Sequence, residues 1–151
     1  MFDELVEERS KGVMPLPENE KKKAYLLSYK AYKQKQKRLE EQLEELRQTE
    51  MSPSLIVSDM PGAHNQRDLS DYAAKYDALW SQIIKARKNT IDRFTEIQQQ
   101  IELMEDGNEK TLLTLRYLRH KKWEDIADEM AYTWQHVHKI HANALKNFKM
   151  R

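Results

Sequence analysis

Two long stretches of this chain repeat apolar and aromatic side chains at alternating steps of three and four, and that spacing restricts the fold more than any other feature. In the first, Tyr25, Tyr29, Tyr32, Gln36, Leu39, Leu43 and Leu46 follow the heptad rule. In the second, Leu69, Tyr72, Tyr76, Leu79, Ile83 and Ala86 do so. After a one-residue slip, Thr90, Phe94, Ile97, Ile101 and Met104 continue it. A period near 3.6 cannot be read as a strand, so the spacing predicts helices over 19–51 and 69–106. Neither helix can bury its seam alone. An antiparallel hairpin is therefore expected, with self-association through the same seams as the competing arrangement.

Composition agrees with long, solvent-washed helices. Charged residues make up 34 % of the 151, hydrophobic residues 39 %, and there are only three Gly and four Pro. A typical globular domain has about 25 % charged residues. The predicted class is all-α: a coiled-coil-like hairpin followed by a small C-terminal module. Residues 1–18 are an N-terminal segment expected to hold a short or frayed helix and then a turn, with Pro15 and Pro17 near its end. Pro17 followed by Glu18 and Glu20 reads as a helix entrance. Residues 52–68 are expected to be an irregular linker, because Pro53, Pro61 and Gly62 break a helix there. Gly107 is expected to cap the second helix in the left-handed conformation, with Asn108 starting the next. A domain boundary is placed at 107.

Several chemistries are excluded. With no cysteine there is no disulfide framework or Cys-based zinc site. The three glycines stand apart, so no glycine-rich phosphate loop exists. No Ser/His/Asp arrangement or His-Glu-x-x-His appears, and the carboxylates fall on charged helix faces. Neither an enzyme nor a small-molecule substrate is expected, and no cofactor is implied. No pair among His136, His138 and His141 is spaced i,i+4 and only His138 and His141 share a face, at i,i+3, so no metal site is expected. No apolar run approaches the roughly 20 residues of a membrane span. The acidic start, Met1-Phe-Asp-Glu-Leu-Val-Glu-Glu, lacks a signal-peptide core, so a cytoplasmic location is expected.

Charge is unevenly distributed. Residues 19–38 carry eight basic side chains and one acid, whereas 39–50 carry five acids and one arginine. Residues 108–151 carry nine basic and five acidic side chains, while the preceding 107 carry 17 and 20. A cationic C-terminal module on an otherwise acidic chain suits a nucleic-acid partner.

The module itself reads as three helical pieces: Lys110–Arg119, Trp123–Met130, and a third running from Thr133 to about Lys149. A short helix, the turn Ala131-Tyr132 and an N-cap candidate at Thr133 make a helix-turn-helix pattern. At 100° per residue, Val137, Ile140, Ala144, Leu145 and Phe148 share the inward side of the third helix. Gln135, Lys139, Ala142 and Lys146 lie opposite, with His136, His138 and Asn143 on the flanks. That outer face carries no acid. Gln can read adenine edges, Lys can read guanine or neutralise phosphate, and the first turn should enter the major groove. Arg119, Lys121 and Lys122, before the short helix, suit phosphate. Trp134 could pack or touch the DNA backbone. The tyrosines of the first seam read as core, and Lys21-Lys-Lys23 as a solvated helix start.

At these residues the chain resembles the promoter-reading C-terminal domain of bacterial sigma factors. Asp125-Ile126-Ala127, Thr133 and Ala144-Leu145 match its Glu-Ile-Ala element, its Ser/Thr-capped helix and its Ala-Leu pair. The layout also resembles sigma-like regulatory proteins of phages and of prophages in Gram-positive bacteria, at Ser58–Gly62 and Asp68–Tyr72. The resemblance implies a transcriptional regulator that binds double-stranded DNA, with the hairpin used for homo-oligomerisation or for contact with RNA polymerase. Trp134, Gln135 and His136 stand where sigma domains usually place charged residues, and Ala131-Tyr132 where a glycine is common. The family's promoter preference is therefore not implied. No counterpart of the polymerase-clamping or promoter-melting regions is evident. Two other readings are a phage DNA-packaging recognition subunit, of the small-terminase kind, and a structural coiled-coil adaptor.

Overall fold

The structure is a computed structural model that describes residues 17–50 and 63–150. Among these, all regular structure is helical. Helix α1 spans Glu18–Glu50 and α2 spans Ala63–Glu102. Helix α3, Gly107–Leu113, runs into a π-turn at Thr114–Leu118. Helices α4, Trp123–Met130, and α5, Trp134–Asn147, complete the chain. No described helix is long and apolar enough to cross a membrane.

The heptad seams meet as an antiparallel hairpin. Leu39 and Leu43 of α1 pack with Ile83 and Ala86 of α2, flanked by Tyr76 and Leu79. Leu26 and Tyr29, earlier in α1, share a core with Ile97 and Ile101, later in α2. Between these clusters the seam is polar but satisfied. Both Arg87 Nε and Nη2 lie 2.8 Å from Glu40 Oε1. The Arg93 guanidinium lies 4.8 Å from the Tyr25 ring centre and 5.3 Å from that of Tyr32. The Tyr25 hydroxyl donates to Glu96 Oε1 at 2.6 Å. The aromatic half of the α1 seam thus encloses a cation from α2, where the leucine half makes dry contact. Of the seam tyrosines, Tyr29 is buried in the core and Tyr25 is half-buried against it, while Tyr32 is half-buried outside either cluster.

The expected linker is shorter than 52–68. Residues 63–68 already belong to α2, because Gly62 is the last breaker and the following residues carry neither Pro nor Gly. Residues 51–62 lie outside the described part of the chain, as does the N-terminal segment before Pro17. The end of α2 also differs. After a last α-helical bond from Leu103 N–H to Gln99 O at 3.2 Å, the chain tightens, with Met104 N–H donating to Ile101 O, three residues back, at 3.0 Å. Gly107 is not a left-handed cap. It is the first residue of α3, and Asp106, not Asn108, is the N-cap, its carboxylate accepting from Glu109 N–H at 2.9 Å. A carboxylate N-cap satisfies an orphan N–H and favours the positive helix end, which makes the Asp106 start better than one at Asn108.

The π-turn answers a packing demand. Leu112, Leu113, Leu115, Tyr117 and Leu118 are all buried. That stripe is too broad for one side of a regular helix; widening the turn rotates the later residues toward the core. The turn closes with Arg119 N–H on Thr114 O at 3.0 Å, and His120 follows at φ 57°.

The larger core runs without a break from the hairpin into the C-terminal module. It joins Leu26, Tyr29, Ile97, Ile101 and Met104 to Leu112, Leu113, Ile126, Val137, Ala144 and Phe148. Lys22, expected in solvent, is only 8 % exposed, and its Nζ donates to the Lys146 carbonyl at 3.1 Å. The ammonium fills an orphan acceptor at the negative end of α5. The buried cluster thus includes residues on both sides of position 107. Leu26 is fully buried where the two parts meet. Leu26→Ala is expected to destabilise the fold by about 2–5 kcal/mol. Urea unfolding followed by far-UV circular dichroism and by tryptophan fluorescence should give coincident single transitions for both the wild type and the variant.

Candidate nucleic-acid interface

The local sequence builds α4, α5 and the turn between them from their caps. Helix α4 starts at an extended Lys122 and places Glu124 and Asp125 in its first turn, at the positive helix end. Ile126 and Ala127 face inward. Ala131 ends the helix in the left-handed region at φ 57°, ψ 40°. Its N–H donates to Asp128 O at 3.2 Å, and Tyr132 N–H donates to Ala127 O at 3.0 Å. Alanine takes the conformation that glycine usually supplies, at a cost of about 1–2 kcal/mol. Thr133 then caps α5, its hydroxyl accepting from His136 N–H at 3.1 Å.

Helix α5 has the two faces that its angular pattern implies. Val137, Ile140, Ala144, Leu145 and Phe148 are buried. Gln135, His136, Lys139, Ala142, Asn143 and Lys146 are exposed. Gln135 and Lys139 stand one turn apart near the helix start. Asn143 and Lys146 continue the face toward the far end, where Lys146 lends its carbonyl to Lys22. Before α4, Arg119 and Lys122 are exposed. Lys121 is half-buried and engages Glu129 in an ion pair, so it is the most compensated of the expected phosphate ligands.

His138 departs from its expected place on a solvent flank. It is half-buried between two indoles, with ring centres 4.5 Å from Trp123 and 3.9 Å from Trp134. Its Nε2 is buried without a hydrogen-bond partner. Burial of the imidazole in this aromatic stack is more favourable than leaving both rings wet. The stack continues inward. Trp123 carries the Arg116 guanidinium 4.5 Å from its ring centre, and His141 meets Trp123 edge-on at 4.7 Å. The stack also holds Trp134, which remains 57 % exposed beside Thr133. Tyr132 and His136 form a second, exposed pair at 4.6 Å. Trp123 and Arg116 had no place in the sequence reading of the interface. Their only signal was aromatic residues recurring around the turn.

His141 is buried, and its Nε2 lies 2.7 Å from the Tyr117 hydroxyl. Burial, then the charges of Lys23, His138 and Arg116, pulls its pKa down from 6.5 to about 4. Burial pushes the Tyr117 phenol up to about 12. The pair is thus a neutral imidazole beside a neutral phenol, which fits a structural role. Among the described residues no group of three His, Asp or Glu side chains is placed to hold a metal ion.

Comparison with known proteins finds no match, neither to a family model, nor to a curated protein, nor to a solved structure.

Two outcomes test this geometry. Ala131→Gly removes the steric penalty at the turn and is expected to raise stability by about 1 kcal/mol in urea titrations. The buried imidazole sets the second. The unfolded chain protonates His141 near 6.5, while the folded one resists until about 4. The unfolded state therefore binds more protons within that window. The contribution of neutral His141 is fully present above pH 6.5 and is lost as the pH falls through about 4. The urea midpoint should drop over this range in the wild type, and less steeply in His141→Gln.

Proposed function

We propose that this chain binds double-stranded DNA sequence-specifically, with α5 in the major groove, and acts as a phage or prophage transcriptional regulator. The observation that carries the proposal is the outer face of α5. It is capped by Thr133, exposed along its length, and free of acids, with Gln135, Lys139, Asn143 and Lys146 in line. A helix that only packed would have no reason to keep its whole solvent side non-acidic in a chain with 25 acids. In this reading Gln135 and Lys139 meet base edges, while Arg119 and Lys122 meet phosphate before α4. Trp134, held by His138, supplies a rigid apolar contact at the groove edge. His136 and the far-end Asn143 and Lys146 face the backbone.

The hairpin supports a self-associating regulator. Trp80, Ile84 and Ile91 of α2 are 39 %, 52 % and 64 % exposed, and they recur at steps of four and seven on a side the intramolecular seam does not use. A dimer would offer two α5 helices to paired half-sites.

Duplexes selected from a random pool, titrated against wild type and variants, test the reading. Gln135→Ala and Lys139→Ala should each lose about 1–3 kcal/mol of cognate binding and relax the sequence preference. Full affinity and discrimination in both variants would show that α5 does not read bases.

A further inference from the structure

The basic half of α1 lies beside the connection that leads into α4. Lys30, Lys33 and Lys37 are exposed and recur at helical spacing along one side of α1. Tyr29 places this line against the module. Its ring stacks on His120 at 5.4 Å, and Lys33 Nζ lies 5.8 Å from the same ring centre. His120 is flanked in the chain by Arg119 and Lys121, with Lys122 next. Through His120, the lysine line of α1 thus meets the connection that carries Arg119, Lys121 and Lys122. Between them is an open cleft of about 370 Å³, lined by Lys30, Lys33, Lys37, His120 and two glutamines, with Glu40 as its acid.

The lysines of this cleft are poorly compensated from within the protein, whereas Lys121 of the connection is paired with Glu129. Glu40 is already engaged by Arg87 at 2.8 Å. The Lys37–Glu41 pair is 3.9 Å apart and mostly exposed, so it is weak. His120 Nε2 is buried without a hydrogen-bond partner. Lys33 and Lys30 help hold the His120 pKa below its usual value, after burial as the main cause. The cleft thus gathers three exposed lysines around an imidazole that lacks a hydrogen-bond partner, and an anion there would offset their charge. Lys30 to Lys37 spans about 10 Å along the helix. That matches about three phosphate steps of one DNA strand, at about 3.4 Å each along the duplex axis.

We propose that this cleft holds phosphates of the DNA backbone beside the site read by α5, so that α1 extends the contact beyond the helix-turn-helix. The inference rests on the DNA-binding reading and adds a second binding element to it. The shared chemistry is the phosphate oxyanion, which inorganic pyrophosphate would also supply.

The test uses the full chain carrying K30Q/K33Q/K37Q, with K75Q/K85Q/K88Q as a control of equal net charge. The control lysines are exposed on α2. A third variant, K30R/K33R/K37R, keeps the charge in place. Circular dichroism and urea midpoints confirm that each folds. Binding to cognate and scrambled duplexes is measured at several salt concentrations, and the protected length is read by footprinting. The α1 glutamine variant should lower the salt slope by about 2–3, shorten the footprint, and weaken both duplexes by roughly a hundredfold at about 0.1 M salt. The control and the arginine variant should keep the wild-type slope and footprint.

An unchanged slope and footprint in the α1 variant, with wild-type binding intact, overturns this inference alone. An equal loss in the α2 control also overturns it, because only net charge would then matter. Pyrophosphate stabilising the wild type but not the glutamine variant, with duplex binding equal in both, would assign the cleft to a small anion instead. A wild type that binds no duplex at low salt overturns the DNA-binding reading, and this inference with it.

Discussion

The structure depends on the docking of the first four turns of α1 against the C-terminal module. Tyr25 meets Phe148 at 6.1 Å between ring centres, Tyr29 stacks on His120, and Lys22 donates to the last turn of α5. Leu26 sits fully buried among them. Without this contact, α3, α4 and α5 would be a module of about forty residues, near the lower limit at which a chain can bury enough surface to fold. The hairpin supplies the missing apolar wall. In return, the module covers the aromatic half of the α1 seam, which α2 alone does not enclose.

That exchange explains what was legible in the sequence. The hairpin was readable because a seam at period 3.6 admits one class of solution, and the same side chains meet in it: Leu39 and Leu43 against Ile83 and Ala86. Thr133 and the turn at Ala131-Tyr132 were readable because caps are local chemistry. Other features depend on partners far along the chain. Lys22 looks like any solvated lysine until α5 presents a carbonyl to it. His138 falls on a flank by angle, yet Trp123 and Trp134 enclose it. The π-turn arises only because five neighbouring side chains seek one core. Gly107 is ambiguous by sequence because a glycine after a helix and a glycine opening one look alike locally; Asp106 decides between them.

The aromatic and imidazole side chains fill the role that aliphatic residues fill in larger cores. Trp123, His138, His141 and Tyr117 form a continuous stack beneath α4 and α5. Flat rings bury much area with few rotatable bonds, which limits the entropy lost on ordering. The stack has one open end, at Trp134, on the surface proposed to meet DNA. A side chain held from beneath in this way enters a groove already ordered, so little of the binding free energy is lost to fixing it.

Charge follows the same docking. The basic half of α1 packs on the module, and the acidic half lies beyond it along the hairpin. The molecule is therefore cationic where α5 is exposed and anionic toward the distant end, although its net charge is only +1. A polyanion approaching such a dipole is drawn to the α5 end and repelled from the other, which orients the encounter before any base is read. One core connects hairpin and module, so α5 and α2 pack on the same cluster of buried side chains. Under the proposed reading, a dimer formed through the exposed α2 stripe would then fix the separation of its two reading helices. Half-site spacing would become a property of the hairpin, far from the residues that read the sequence.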